Sequence, residues 1–336
     1  MERMAALTES EKIFRLAVLG MGRWGRVWAD VINRADGASL LATAGGRPWE
    51  GGDERPPRHF SDYRDAIEAI DADAVVVTLP AHLHLDAVRR AAARGLHVLC
   101  EKPAVPSRRE LRELEDLAAS TPTLIAIDQN YRQRPWVDAV RRSLPLIGRI
   151  AHVSIEFAQP EFLDGGRRDL AHPLIADMAI HHVDLLRHLT GQDARVVAAL
   201  SGRPRWTHYR GEPDLSAVLV LEDKASVTYS GTWSARGHTT PWDGDWLIRG
   251  ENGSITVAGL EVSLDLGTGP ELVIPAKDVE NDSDLARVLQ HFRRSAAGDA
   301  AEDVPAPDNA RSLALVFDLA DAVGLEDPWR LVGAGA

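Results

Sequence analysis

Ile13-Phe14-Arg15-Leu16-Ala17-Val18-Leu19-Gly20-Met21-Gly22-Arg23-Trp24-Gly25 is the stretch that decides the fold. Its first seven residues are apolar except for Arg15, a strand pattern, and they lead directly into G-x-G-x-x-G. Val27, Trp28, Val31 and Ile32 then recur at helical spacing. A glycine fingerprint between a strand and a helix is the context a dinucleotide site requires. Gly20 permits the tight turn, Gly22 lets the backbone approach a pyrophosphate at the positive helix end, and Gly25 lets helix and strand pack closely. Met21, Arg23 and Trp24 belong to the same candidate cofactor loop. The motif alone recurs without function, so its context carries the reading.

Ser39 to Thr43 is the expected second strand. A preference for NAD usually comes with an Asp or Glu about 20 residues beyond the fingerprint, bonded to the ribose 2′-hydroxyl. Here the chain continues Ala44-Gly45-Gly46-Arg47, with no carboxylate before Glu50. Arg47, together with Arg23, is suited to a 2′-phosphate, which favours NADP over NAD; the alternative for Arg47 is a solvated loop residue.

A short helix around Ala66, Ile67 and Ile70 precedes the apolar strand Ala74 to Thr78, and Ala87, Val88, Ala91 and Ala92 form the next helical face. The chain then reads His97-Val98-Leu99-Cys100-Glu101-Lys102-Pro103. A short buried strand delivers Glu101 and Lys102 at its carboxyl end, which in open α/β sheets is where ligands bind. A lysine held there has a mobile proton when partly buried, whereas taken by itself the stretch reads first as a surface Lys-Glu pair capping a strand. Ser107-Arg108-Arg109-Glu110 is a capping-box pattern, and Thr123 to Ile127 is a further strand. Strands alternating with helices predict a parallel, doubly wound sheet over residues 13–127.

Beyond that point the period changes. Arg149–Phe157 and Ser226–Trp233 alternate apolar with polar, and Gly250–Gly253 reads as a hairpin turn, the pattern of an antiparallel sheet with one covered face. Two amphipathic segments, Leu285–Phe292 and Ala310–Ala322, follow. Between the alternating strands, Pro173–Gly191 is a helix by period. Its apolar stripe is Ile175, Met178, His182, Leu185 and Leu189, with His182 a packed core residue. Asp177, His181, Asp184 and His188 lie on a second stripe, where a carboxylate can orient an imidazole for proton transfer. A solvated helix face explains the same stripe. No metal is expected, because no Cys or Glu-rich partner set completes a site.

The chain carries 50 acidic against 38 basic residues, a formal charge of −12, which argues against a nucleic-acid surface. No apolar window of about 18 residues predicts a membrane span. A single cysteine, Cys100, excludes an internal disulfide and fits a cytoplasmic protein. Residues 1–12 read as a flexible tail.

Together the glycine fingerprint, the Gly95–Pro103 stretch, Asn130-Tyr131-Arg132 and Asp177-Met178-Ala179-Ile180-His181-His182-Val183-Asp184 resemble the Gfo/Idh/MocA family. Ala179, where the family usually has glycine, and the lead-in Ala171–Leu174 depart from its pattern. The resemblance implies an α/β fold. An N-terminal Rossmann domain with a doubly wound parallel sheet (13–127) is followed by a C-terminal α+β domain with a large open, mostly antiparallel sheet (128–336).

It also implies an NAD(P)-dependent oxidoreductase moving a hydride between cofactor and a sugar, cyclitol or related hydroxyl or carbonyl compound. Lys102, Asp177 and His181 are then the catalytic group. Thr78, Pro80, His84, Glu101 and Lys102 line the nicotinamide end, with His84 otherwise a solvated helix start. Asn130, Arg132, Asp177 and Trp233 are substrate-wall candidates, of which Asn130, Arg132 and Trp233 serve equally for packing. The expected partner is a small-molecule substrate, with neither nucleic acid nor membrane, in a homodimer or homotetramer. Two alternatives remain: a non-catalytic dinucleotide-binding regulator, and a hydrolase or lyase using tightly held NAD(P) for transient oxidation.

Overall fold

The computed structural model describes residues 13–51, 57–274, 284–299 and 304–333; the expected N-terminal tail lies outside them. The chain forms two compact units. The first takes its described residues from Met1–Asn130 and Ser283–Ala310, the second from Tyr131–Asp282 and Arg311–Ala336.

In the first unit, β1 (Phe14–Leu19), β2 (Ala38–Ala44), β3 (Arg58–Phe60), β4 (Ala74–Val77), β5 (His97–Cys100) and β6 (Ile125–Ile127) form one all-parallel sheet. Its order is β3-β2-β1-β4-β5-β6, so the chain reverses direction of travel between β1 and β4. Four helices connect the strands: α1 (Arg23–Arg34), α2 (Tyr63–Ala69), α3 (His84–Ala93) and α4 (Arg108–Ser120). Gly25, Trp28, Ala29 and Ile32 form the buried stripe of α1, one helical face pressed on an apolar sheet. The Ser107 hydroxyl caps α4, accepting from the Glu110 amide at 3.2 Å and donating to its carboxylate at 2.6 Å.

The first unit runs to Asn130 and also takes a later segment, Ser283–Ala310, that the boundary expected at residue 128 gave to the second. Helix α8 (Asp284–Ala296) returns to the first unit, where Leu285, Val288, Leu289 and Phe292 share a core with Leu16, Val18, Trp28 and Leu99. An amphipathic helix goes to whichever core its apolar stripe completes, and sequence position does not say which.

The second unit holds an eight-stranded sheet. Its strands are β7 (Ile150–Ala158), β8 (Ala194–Gly202), β9 (Asp214–Leu221), β10 (Ser226–Thr232), β11 (Asp245–Gly250), β12 (Ser254–Ala258), β13 (Glu261–Asp265) and β14 (Glu271–Ile274). The order is β14-β13-β12-β11-β7-β10-β9-β8, antiparallel except where β7 and β10 run parallel. The β11–β12 hairpin forms at the expected turn, with Arg249 opposite Ser254. Helix α5 (Pro135–Ile147) packs on β12 and β13. The predicted single helix over 173–191 is two: α6 (Pro173–Asp177) and α7 (Ala179–Thr190). At Met178 the turn tightens, and the His181 amide reaches the Met178 carbonyl, three residues back. Such a turn rotates more per residue than an α-helix, so Asp177 and His181 lose simple i, i+4 stacking. Helix α9 (Ala306–Ala322) contains the division between the units. Among the described residues no helix is long and apolar enough to cross a membrane.

Candidate active site

The glycine fingerprint is shaped by contact. Gly20 has φ +110°, and a Cβ there would lie 2.6 Å from the Thr78 carbonyl carbon. A Cβ on Gly25 would sit 1.9 Å from the Gly20 carbonyl oxygen. Thr78 completes the turn by donating its hydroxyl to that oxygen at 2.6 Å. Thr78 therefore braces the loop. Gly22 is different: a Cβ there meets nothing within 4 Å, so its glycine is not demanded by packing inside the protein. It is also the N-cap of α1, with no side-chain cap and no acid in the first turn. Bare amides and a positive helix end are what a pyrophosphate needs. Beyond β2, Gly45 and Gly46 both take positive φ, and Arg47 is exposed beside the loop they form. Met21 is buried, whereas Trp24 is exposed with the Arg23 guanidinium 5.9 Å from its ring.

Lys102 leaves the end of β5 half-buried, followed by a cis peptide to Pro103. Beside it Glu101 is buried and accepts from the Trp28 indole at 3.2 Å and from the Lys102 amide at 3.2 Å. It is a buried acid joining α1 to β5, neither a surface cap nor an open ligand contact. Pro80 is exposed at the start of a short 3₁₀ turn. His84 is buried, not solvated. Its Nε2 lies 2.7 Å from the Leu79 carbonyl and its Nδ1 3.0 Å from the Pro103 carbonyl, so it sits between the loop after β4 and the loop carrying Lys102 and, when neutral, donates to one of them. Burial lowers its pKa against the pull of those carbonyls. Asn130 is a structural donor to Asp284, at 2.8 Å, and holds the head of α8.

The second unit carries the other catalytic candidates, and the polar stripe is no solvated face. Asp177 sits at the end of α6, gripped by the Arg167 Nε at 2.6 Å, while the same guanidinium lies 4.9 Å over the Phe162 ring. His181 is buried in α7 and stacks on Tyr131 with centroids 4.3 Å apart and planes at 18°. Asp184 is bound by Arg132 through two hydrogen bonds of 2.6 Å and by the Ser312 hydroxyl at 2.7 Å. Arg132 is thereby a buried clamp and not a substrate wall. Trp233 is 1% exposed, wedged among Phe157, Phe162 and Trp242, which makes it packing as well. His182 is the core histidine expected: its Nε2–H donates to the Trp242 carbonyl at 3.1 Å, and its Nδ1 accepts from the Tyr229 hydroxyl at 3.0 Å. Burial pushes its pKa down to about 4. Among the described residues no cluster of His, Cys, Asp and Glu suits a metal ion.

Residues 14–129 match the model of an oxidoreductase family with an NAD-binding Rossmann fold, and residues 146–256 match the C-terminal domain model of the same family. This chain belongs to the Gfo/Idh/MocA family. An uncharacterized protein, y4oX, of Sinorhizobium fredii is 23% identical over 350 residues, covering 95% of this chain and 96% of its own length. Inositol 2-dehydrogenase of Rhizobium meliloti is 27% identical over 261 residues, covering 76% of this chain and 79% of that enzyme. An oxidoreductase from Agrobacterium radiobacter, solved with NAD+, L-tartaric acid and magnesium, superposes with a TM-score of 0.82 at 18% identity over 93% of this chain and 97% of that one.

As a Gfo/Idh/MocA protein the chain has a Rossmann unit that fits a dinucleotide. The β1–β4 reversal supplies the crevice, Gly22 the open approach and α1 the bare amides. Sequence reasoning missed Arg167, Tyr131 and Asp128. Nothing local marks Arg167. Asp128 was legible in principle: it follows β6 as Glu101 follows β5, two acids one residue beyond adjacent strands.

Proposed function

We propose that this oxidoreductase moves a hydride between NAD(P) and the carbinol or carbonyl carbon of a sugar, cyclitol or related polyhydroxylated small molecule. Lys102 and His181 handle the hydroxyl proton, and Asp177 holds substrate or imidazole. The observation that carries the reading is the pairing, within one parallel sheet, of an uncapped fingerprint helix at β1 with a half-buried lysine at the end of β5. An inositol dehydrogenase among the relatives, and a similarly folded oxidoreductase solved with NAD+, support both substrate class and cofactor.

When bound, the cofactor supplies the electronic chemistry of hydride transfer. The chain supplies the rest. Amides at Gly22 and the following turn bind the pyrophosphate, and Arg47 with Arg23 favours a 2′-phosphate. A carbinol losing hydride must also lose its hydroxyl proton. An imidazole fits that exchange, since its ordinary pKa is near neutral. The stack on Tyr131 fixes the plane of the His181 ring, and Arg167 keeps the Asp177 carboxylate oriented. Exposed Val197, Leu200 and Val218 on β8 and β9 support burial of that sheet region in a homo-oligomer, which light scattering tests.

Titration with NADPH and NADH, followed by tryptophan quenching, is the test. Tight NADPH binding with weaker NADH binding supports Arg47; the reverse order makes the cofactor NAD and Arg47 a bystander. Binding of neither removes the proposal. Against a substrate found by screening sugars and polyols, Lys102→Ala and His181→Ala should each lower turnover about 10²–10⁴-fold. Full activity in both variants would show the site to be elsewhere.

A further inference from the structure

Strands β5 and β6 run parallel with Cys100 opposite Ile127. The next residue of each, Glu101 and Asp128, therefore emerges beside the other from the same edge of the sheet. Both are buried, at 8% and 3% exposure, so the two carboxyl groups share one desolvated strand edge. Ionised carboxylates only accept, so two of them side by side repel unless a proton enters the contact.

The surroundings contain few donors. Glu101 accepts from the Trp28 indole and the Lys102 amide, while Asp128 Oδ1 has no hydrogen-bond partner among the described residues. The charged and titratable groups facing the pair are Lys102 beyond β5, Asp284 at the head of α8 and the Cys100 thiol within β5. Among these described groups Lys102 is the cation, against the carboxyl groups of Glu101, Asp128 and Asp284. Asp284 is further occupied, accepting from the Asn130 side chain and the Leu285 amide. Burial raises the carboxyl pKa of Glu101 against the pull of Lys102. Burial, followed by repulsion from Glu101 and Asp284, raises that of Asp128 well above the carboxylate range.

We propose that Glu101 and Asp128 hold one proton between them and act together as a singly charged counterion to Lys102. The pair gives the strand ends a charge count that balances the lysine and keeps a proton within one residue of it. Only its relevance to turnover rests on Lys102 being the site lysine; the proton itself does not.

Infrared spectroscopy of the full chain without cofactor, at neutral pH, tests it. The wild-type protein should show the carbonyl stretch of a buried, protonated carboxylic acid. Asp128→Asn replaces the shared proton with an amide donor and preserves the single charge, and the band should vanish. Glu101→Gln should do the same and serves where the first variant folds poorly.

Denaturant unfolding across pH gives a second readout. A folded chain that keeps a proton which the unfolded carboxyls have released loses stability as pH rises above the ordinary carboxylate range. One retained proton changes the unfolding constant about tenfold per pH unit, and Asp128→Asn should flatten that slope. No such band in the wild type, a band persisting in both variants, or equal slopes would overturn the proposal. Failure to bind either dinucleotide, with the band present, would instead remove the oxidoreductase reading and leave the pair standing.

Discussion

Two buried aspartates show opposite solutions to one problem. Asp184 in α7 is 1% exposed and receives two hydrogen bonds from Arg132 and one from Ser312, so its charge is matched at contact distance. Asp128, beyond β6, is buried as deeply but faces Glu101, another acid. A buried charge is tolerated when paired and hydrogen-bonded; without a partner it gives up the charge. The first arrangement fixes structure. The second leaves a proton that can be titrated, and it stands beside the candidate site lysine.

Breaking the clamp should have the largest effect. Arg132→Met leaves Asp184 buried without its cation and should cost about 3–5 kcal/mol in urea unfolding. A loss under 1 kcal/mol would mean that Asp184 is not held by this pair.

His182 sharpens the contrast from the acid side. Its pKa, pushed down to about 4 by burial, lies below the ordinary 6.5, so the unfolded chain takes the proton first as pH falls. Its contribution is complete above about pH 6.5 and is lost towards pH 4, roughly 3 kcal/mol over that window. His182→Gln should remove this acid-side slope. That sign is opposite to the alkaline-side loss expected from the Glu101–Asp128 pair, and equal acid slopes in wild type and variant would refute it.

The smallest effect tests how much of the clamp is the guanidinium. Ser312→Ala removes a neutral donor from Asp184 and should cost about 1–2 kcal/mol, measured in the same unfolding series. If it costs as much as Arg132→Met, the hydroxyl and not the cation satisfies the carboxylate.

The Rossmann unit was readable from the chain because its signals are local. An apolar run, three glycines at fixed spacing and a helical stripe each act within a few residues, and Gly20 and Gly25 are where steric contact demands them. The Asp/His segment was readable only as a pattern. Whether its polar stripe faced solvent depended on Arg132, 52 residues before Asp184, and on Ser312, 128 residues after it. Arg132 and Trp233, which fitted a substrate wall equally well by sequence, were taken by packing. His84 proved to be buried between two loops, and α8 joined the first unit because its apolar face completes that core.

The sequence by itself determined the alternation of strands and helices over residues 13–127, the dinucleotide loop and the place of Lys102 at the end of β5, since hydrophobic period and glycine sterics act along the chain. Tertiary structure alone decided which polar groups are desolvated and what faces them: Arg132 on Asp184, Arg167 on Asp177, Asp128 on Glu101. Burial and charge pairing are set by neighbours in space. Those neighbours come from strands and helices that are distant in the chain.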